Sequence, residues 1–111
     1  TLTPGTAINV ATALGLSNVD AFADRVFIQM GKGGTGVGYV IDLSGLPAGT
    51  TPDKTNAAHV VAELQLATAT NPGGNYSDTK SPQEGMGIDL KKLYIDGDQA
   101  DPVRISVNRK V

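Results

Sequence analysis

The chain has 111 residues, no cysteine and a formal charge of −2. One core of that length buries roughly two-thirds of the unfolded chain's surface, and the missing thiols exclude disulfides, thiolate metal sites and cysteine nucleophiles. Nine cations against eleven anions exclude the broad basic field of a non-specific nucleic-acid binder, and no apolar run approaches the roughly 20 residues of a membrane-spanning helix. No basic segment followed by an apolar stretch opens the sequence, so no signal peptide is expected in it. Fourteen Gly and six Pro cut the chain into short segments, which favours strands and loops over long helices. One all-β domain over residues 1–111, with long loops, is the expectation.

In chain order, residues 1–5 form an N-terminal arm, and Ile8, Val10 and Leu14 suggest a loosely packed strand. Ser17-Asn18-Val19-Asp20 reads as the cap of a short helix through Ala23. Val26, Ile28 and Met30 then alternate with Arg25, Phe27 and Gln29, and Val37, Tyr39, Ile41 and Leu43 alternate with Gly38, Val40 and Asp42. Alternation of this kind marks a half-buried strand. The glycine-rich residues 31–36 between the two runs read as a hairpin tip. A loop with two prolines follows over residues 44–54. Residues 55–70 fit either period: Val60, Ala62, Leu64 and Leu66 suit a strand, while Ala57, Val60, Val61 and Leu64 suit a helix capped by Thr55 or Asn56. The Ala-Thr-Ala-Thr ending tilts the choice toward a strand. Residues 71–87 read as a second long loop, and Ile88 to Lys92 as a helical turn. At the end, Leu93 and Ile95 lead through Asp96-Gly97 and Pro102 into Val103, Ile105 and Val107, a second predicted hairpin.

Several patterns test for chemistry. Gly31, Gly33 and Gly36 satisfy the dinucleotide spacing, but a strand follows where a helix N-terminus must hold the pyrophosphate. The Lys-Gly-Gly in the same loop resembles the opening of ParA-type ATPase phosphate loops. Val37 and Gly38 stand where that family needs its second Lys and its Thr, so no phosphate site is implied. His59, the lone histidine, has no nucleophile elbow to serve and is expected at the surface. Asp96, Asp98 and Asp101 miss calcium-loop spacing, because Ala100 stands where an oxygen ligand belongs; a solvated tip is expected. Asn75-Tyr76-Ser77 fits the glycosylation pattern by coincidence. No catalytic residue, metal or cofactor is expected, and a binding role is favoured over an enzyme. Candidate partner contacts are Lys91, Lys92, Arg104, Arg109 and Lys110, the basic C-terminal quarter, together with Tyr76. The cations could equally guard a sheet edge against aggregation.

The stretch from Ile88-Asp89-Leu90-Lys91-Lys92-Leu93-Tyr94-Ile95-Asp96-Gly97 to Val103-Arg104-Ile105-Ser106-Val107 resembles the end of small tailed-phage cement proteins. The likeness covers the last quarter; elsewhere it extends to size, Cys-free make-up and Gly/Thr-rich style. The resemblance implies a jelly-roll-like or small β-sandwich fold and a structural virion protein. Such a protein is assembled in the host cytoplasm, sits on the capsid exterior and clamps neighbouring subunits of the major capsid protein. Homo-oligomeric contacts on the capsid are implied too, with neither nucleic acid nor membrane as partner. The alternative is a secreted or cell-surface β-sandwich module, an adhesin or carbohydrate binder. Such modules stack aromatics on sugar rings, and this chain offers Tyr39, Tyr76, Tyr94, Phe22 and Phe27.

Overall fold

The computed structural model of the chain describes residues 2, 5–16, 22–31, 36–47, 49–64, 74–79 and 88–109. The expected helix over 17–23 therefore falls largely outside them, as do Lys110 and most of the glycine-rich tip. Ala23 itself is in a strand.

The period-2 segments build two antiparallel sheets. The first runs β1 (Ile8–Asn9), β7 (Leu93–Gly97), β3 (Gly38–Asp42), β4 (Val60–Leu64). In the second, β2 (Phe22–Met30) is central. It pairs with β5 (Asn75–Thr79), β6 (Ile88–Asp89) and β8 (Val103–Arg109). Ala23 faces both Ile88 and Arg109, so β6 continues the edge of β5 and β8 occupies the other side. Val26, Ile28 and Met30 of β2 share one core with Val40, Leu64, Leu93 and Ile95 of the first sheet. The sheets are thus packed face to face, and the all-β expectation holds. Fully burying each such aliphatic side chain contributes about 1.5–3 kcal/mol.

Neither expected hairpin forms. β2 and β3 lie in different sheets, as do β7 and β8. Each connection instead takes the chain from one sheet to the other. The described ends of the two crossings lie side by side, because β2 pairs with β8 and β3 with β7. Backbone bonds join them: Gly31 N–H to the Pro102 carbonyl at 2.9 Å and Asp98 N–H to the Val37 carbonyl at 3.1 Å. Local turn signals report that the chain bends; they do not say whether it returns to the same sheet.

The core face of β3 also differs from the expectation. Gly38 and Val40, not Tyr39, point between the sheets, and an ideal Cβ on Gly38 would lie 2.5 Å from Met30 Sδ. A register shift between Val40 and Ile41 then buries Ile41 as well. Residues 55–70 contain the strand β4, with Val60 and Ala62 partly covered and Leu64 buried. Val10, expected in a strand, opens the short helix α1 (Val10–Ala13), because the Asn9 side chain accepts the Thr12 N–H and caps it. The loop expected over 71–87 holds β5, whose polar Asn-Tyr-Ser-Asp-Thr shows no apolar alternation. Ile88–Asp89 is a strand, and the helical turn follows as a 3-10 turn over Leu90–Lys92. The N-terminal arm is anchored at Leu2, which is buried beside Gly97 and donates its N–H to the Asp101 carbonyl at 2.8 Å.

Candidate interaction surface

Lys91 and Lys92 stand on the 3-10 turn, and four local features hold that turn rigidly. Asp89 Oδ1 accepts the Lys91 N–H at 3.0 Å and caps it. Leu90 and Leu93 on either side are buried. The Asn9 side chain donates to the Lys91 carbonyl at 2.7 Å, and the Leu43 N–H donates to the Lys92 carbonyl at 2.9 Å. The backbone is therefore clamped from two neighbouring elements while both ammonium groups project into solvent. Beside them, Leu43, Leu46, Pro47, Thr50 and Tyr94 line a hollow of about 220 Å³. Gly45 adopts φ +81°, which lets the chain turn sharply here, and Ser44 N–H closes the turn on Asp42 Oδ1 at 2.8 Å.

The remaining expected contacts do not all gather at this point. Arg109 stands at the register position opposite Ala23, and Ala23 also pairs with Ile88, so its backbone shares this end of the sandwich. Arg104 is exposed opposite Gln29, nearer the crossings. At about 3.4 Å per residue that is some 17 Å along the strand from Arg109. Lys110 lies outside the described residues. Tyr76 stands opposite Ile28 on β5 and packs against the core, so only part of its ring is presented.

The acids expected at a solvated tip are largely buried. Asp96 and Asp101 are 4% and 3% exposed, and only Asp98 reaches solvent. Asp101 Oδ2 accepts the Gly36 N–H at 2.7 Å, and Asp96 Oδ1 accepts the Gly97 N–H at 2.7 Å. Buried carboxylates persist when backbone donors satisfy them; the Asp101 bond ties the two crossings together, and the Asp96 bond stays within its own segment. Asp98 receives the Tyr39 hydroxyl at 3.1 Å and the Lys54 ammonium at 3.4 Å. Lys54 also donates to the Gly97 carbonyl at 2.8 Å and sits 5.9 Å from the Tyr39 ring centre. No sequence signal marked Lys54, since its partners lie far along the chain.

His59 is buried as well, against the expectation of a surface residue. Its Nδ1 accepts the Asp53 N–H at 3.1 Å, and its backbone N–H donates to the Asn56 carbonyl at 2.9 Å. The ring thus serves as the inner wall of the turn that enters β4. Asp53 is held below the usual carboxylate range by the Thr55 hydroxyl and then the Thr55 N–H. Among the described residues, no group of three or more His, Asp or Glu is placed to hold a metal ion.

Two hydroxyls are pushed above the ordinary tyrosine range. Burial acts first on both, followed at Tyr39 by the hydrogen bond to Asp98 and at Tyr76 by the charges of Asp78 and Asp42. An acid whose pKa rises on folding supports the fold below its unfolded value and withdraws that support as pH climbs through the folded value. Ultraviolet titration should therefore show phenolate appearing later in the folded chain than in urea. Tyr39→Phe and Tyr76→Phe should each remove part of that delayed signal. Simultaneous titration in both states would contradict this environment.

Compared with known proteins, the chain matches no family model, no curated protein and no solved structure.

Proposed function

We propose that this protein is a structural binding module, a decoration protein that seats on the outside of a tailed-phage head and clamps neighbouring major capsid subunits. The observation that carries the reading is the clamped turn presenting Lys91 and Lys92 beside the hollow of Leu43, Leu46, Pro47 and Tyr94. A pair of fixed cations beside a partly apolar hollow suits an acidic protein surface, where charge sets register and approach. The resemblance of the stretch from Ile88 to Val107 points the same way. A clamp present in many copies stabilises the assembled shell by mass action, and a stable seat buries more than roughly 1,000 Å² in total. In this reading the protein is not an enzyme, takes no cofactor and binds neither nucleic acid nor membrane.

Purified chain mixed with undecorated heads should co-sediment with them and leave free coat subunits unbound. The double substitution Lys91→Glu and Lys92→Glu, at exposed positions, should weaken that binding roughly ten-fold, and added salt should weaken the parent chain. No co-sedimentation at micromolar concentration sinks the proposal.

A second reading draws on the outer face of the second sheet. There Phe27 is half-exposed in a hollow of about 220 Å³ with Arg25, Ser106 and Asn108. An aromatic ring beside hydrogen-bonding side chains such as Arg25, Ser106 and Asn108 suits a sugar ring, as in the cell-surface or secreted sandwich module. A specific glycan-array signal that Phe27→Ala abolishes would favour it over the capsid role.

A further inference from the structure

We propose that β8 is a pairing edge for a second copy of this chain, joining two sandwiches through one continuous sheet. β8 spans Val103–Arg109, and among the described residues only β2 pairs with it, on one side. The Gly31 N–H bonds the Pro102 carbonyl, which makes that opposing pair a hydrogen-bonded one. Antiparallel pairs alternate, so Arg104, Ser106 and Asn108 direct their backbone groups at β2. Val103, Ile105 and Val107 then direct their N–H and C=O groups outward, along the open edge. The same three residues turn their side chains toward the core yet stay only partly buried.

They stay partly buried because β1, the edge of the facing sheet, is only two residues long. An apolar cleft of about 240 Å³ is left, lined by Ile8, Ala13, Leu14, Ile95, Val103 and Ile105. A long edge with apolar alternation and an apolar cleft beneath it invites strand addition.

The register selects the occupant. A two-fold axis through Ile105 sets Ile105 against its own copy and Val103 against Val107 of the second chain. All of these residues have outward backbone groups, so every such pair exchanges both hydrogen bonds, and apolar side chains meet apolar ones inside. On the solvent face Arg104 then stands opposite Ser106, which keeps the two arginines apart. Centring on Arg104 would oppose two like charges, and centring on Ser106 would set Arg109 in place of an apolar residue against Val103. A shift by one residue would pair core faces with solvent faces. The edge is thus self-complementary, as a two-fold interface requires. The inference goes beyond the capsid reading and does not depend on it.

Sedimentation velocity on the purified chain tests it without any capsid. A monomer–dimer equilibrium is expected in the micromolar range. Ser106→Glu places a carboxylate opposite Arg104 twice per dimer and should tighten it about five-fold; Ser106→Arg should weaken it about five-fold. Ser106 is exposed, so both variants keep the monomer fold, which circular dichroism checks. Because the chain has no native cysteine, Ile105→Cys should form a disulfide-linked dimer on mild oxidation. The opposed Cα atoms lie about 5.5 Å apart, within disulfide range. Ser106→Cys should not, its copies being about 8 Å apart in this register. A chain that stays monomeric overturns the proposal. So does a dimer that neither charge variant moves, or one that Ser106→Cys links as readily as Ile105→Cys.

Discussion

Gly38→Val is expected to destabilise the fold by about 3 kcal/mol, at the upper end of what overpacking costs in cores. The position has no room. The first carbon of any side chain would sit 2.5 Å from Met30 Sδ and 3.5 Å from Leu64 Cβ, and both neighbours are buried. Met30 belongs to the second sheet and Gly38 to the first, so the strain falls on the contact between the sheets. Met30→Ala alone leaves a cavity and costs about 2–5 kcal/mol. Combined, the two changes should cost less than their sum by at least about 1 kcal/mol, since the valine occupies the space the methionine vacates. Urea denaturation of the four proteins in this cycle measures the coupling. Additive costs would mean that the two residues do not meet between the sheets.

Asp101→Ala is the second large effect, at about 1–3 kcal/mol, the cost of stranding a buried donor. The Gly36 N–H has the Asp101 carboxylate as its partner at 2.7 Å, across the two crossings. A bond to a charged acceptor is stronger than one between neutral groups. Asp101→Asn keeps an acceptor oxygen in the same place and should cost less than half as much. The backbone of Asp101 also receives Leu2, so hydrogen exchange at the Leu2 and Gly36 amides should accelerate in Asp101→Ala. Equal losses in the two variants would show that the charge, not the acceptor, is what matters there.

Which expected contacts the chain gathers follows from distance along the sequence. The turn that carries Lys91 and Lys92 was legible because Asp89 caps it and Leu90 and Leu93 anchor it within a few residues, so local rules suffice. Its clamps, Asn9 and Leu43, were not, since no local pattern joins residues so far apart. The burial of Asp101 was missed for the same reason, since its Gly36 partner lies far along the chain, whereas His59 and Asp96 are satisfied by backbone groups within six residues. Polar residues usually lie outside unless a partner satisfies them, and the partners come from other segments or from backbone groups. β5 was missed because Asn75, Ser77 and Asp78 hide its alternation; pairing with β2 makes it a strand.

By itself, then, the sequence determined that strands would form and, in β2 and β7, which side chains would face the core. Period-2 placement of Val26, Ile28 and Met30, and of Leu93 and Ile95, acts through nearest neighbours, and one wrong step would expose every apolar group. Only the tertiary structure decided which strands pair. A glycine-rich turn fits a return to the same sheet and a crossing to the other equally well. What separates the two outcomes is contact between distant segments: Gly38 under Met30, Asp101 on Gly36 and Leu2 against Gly97.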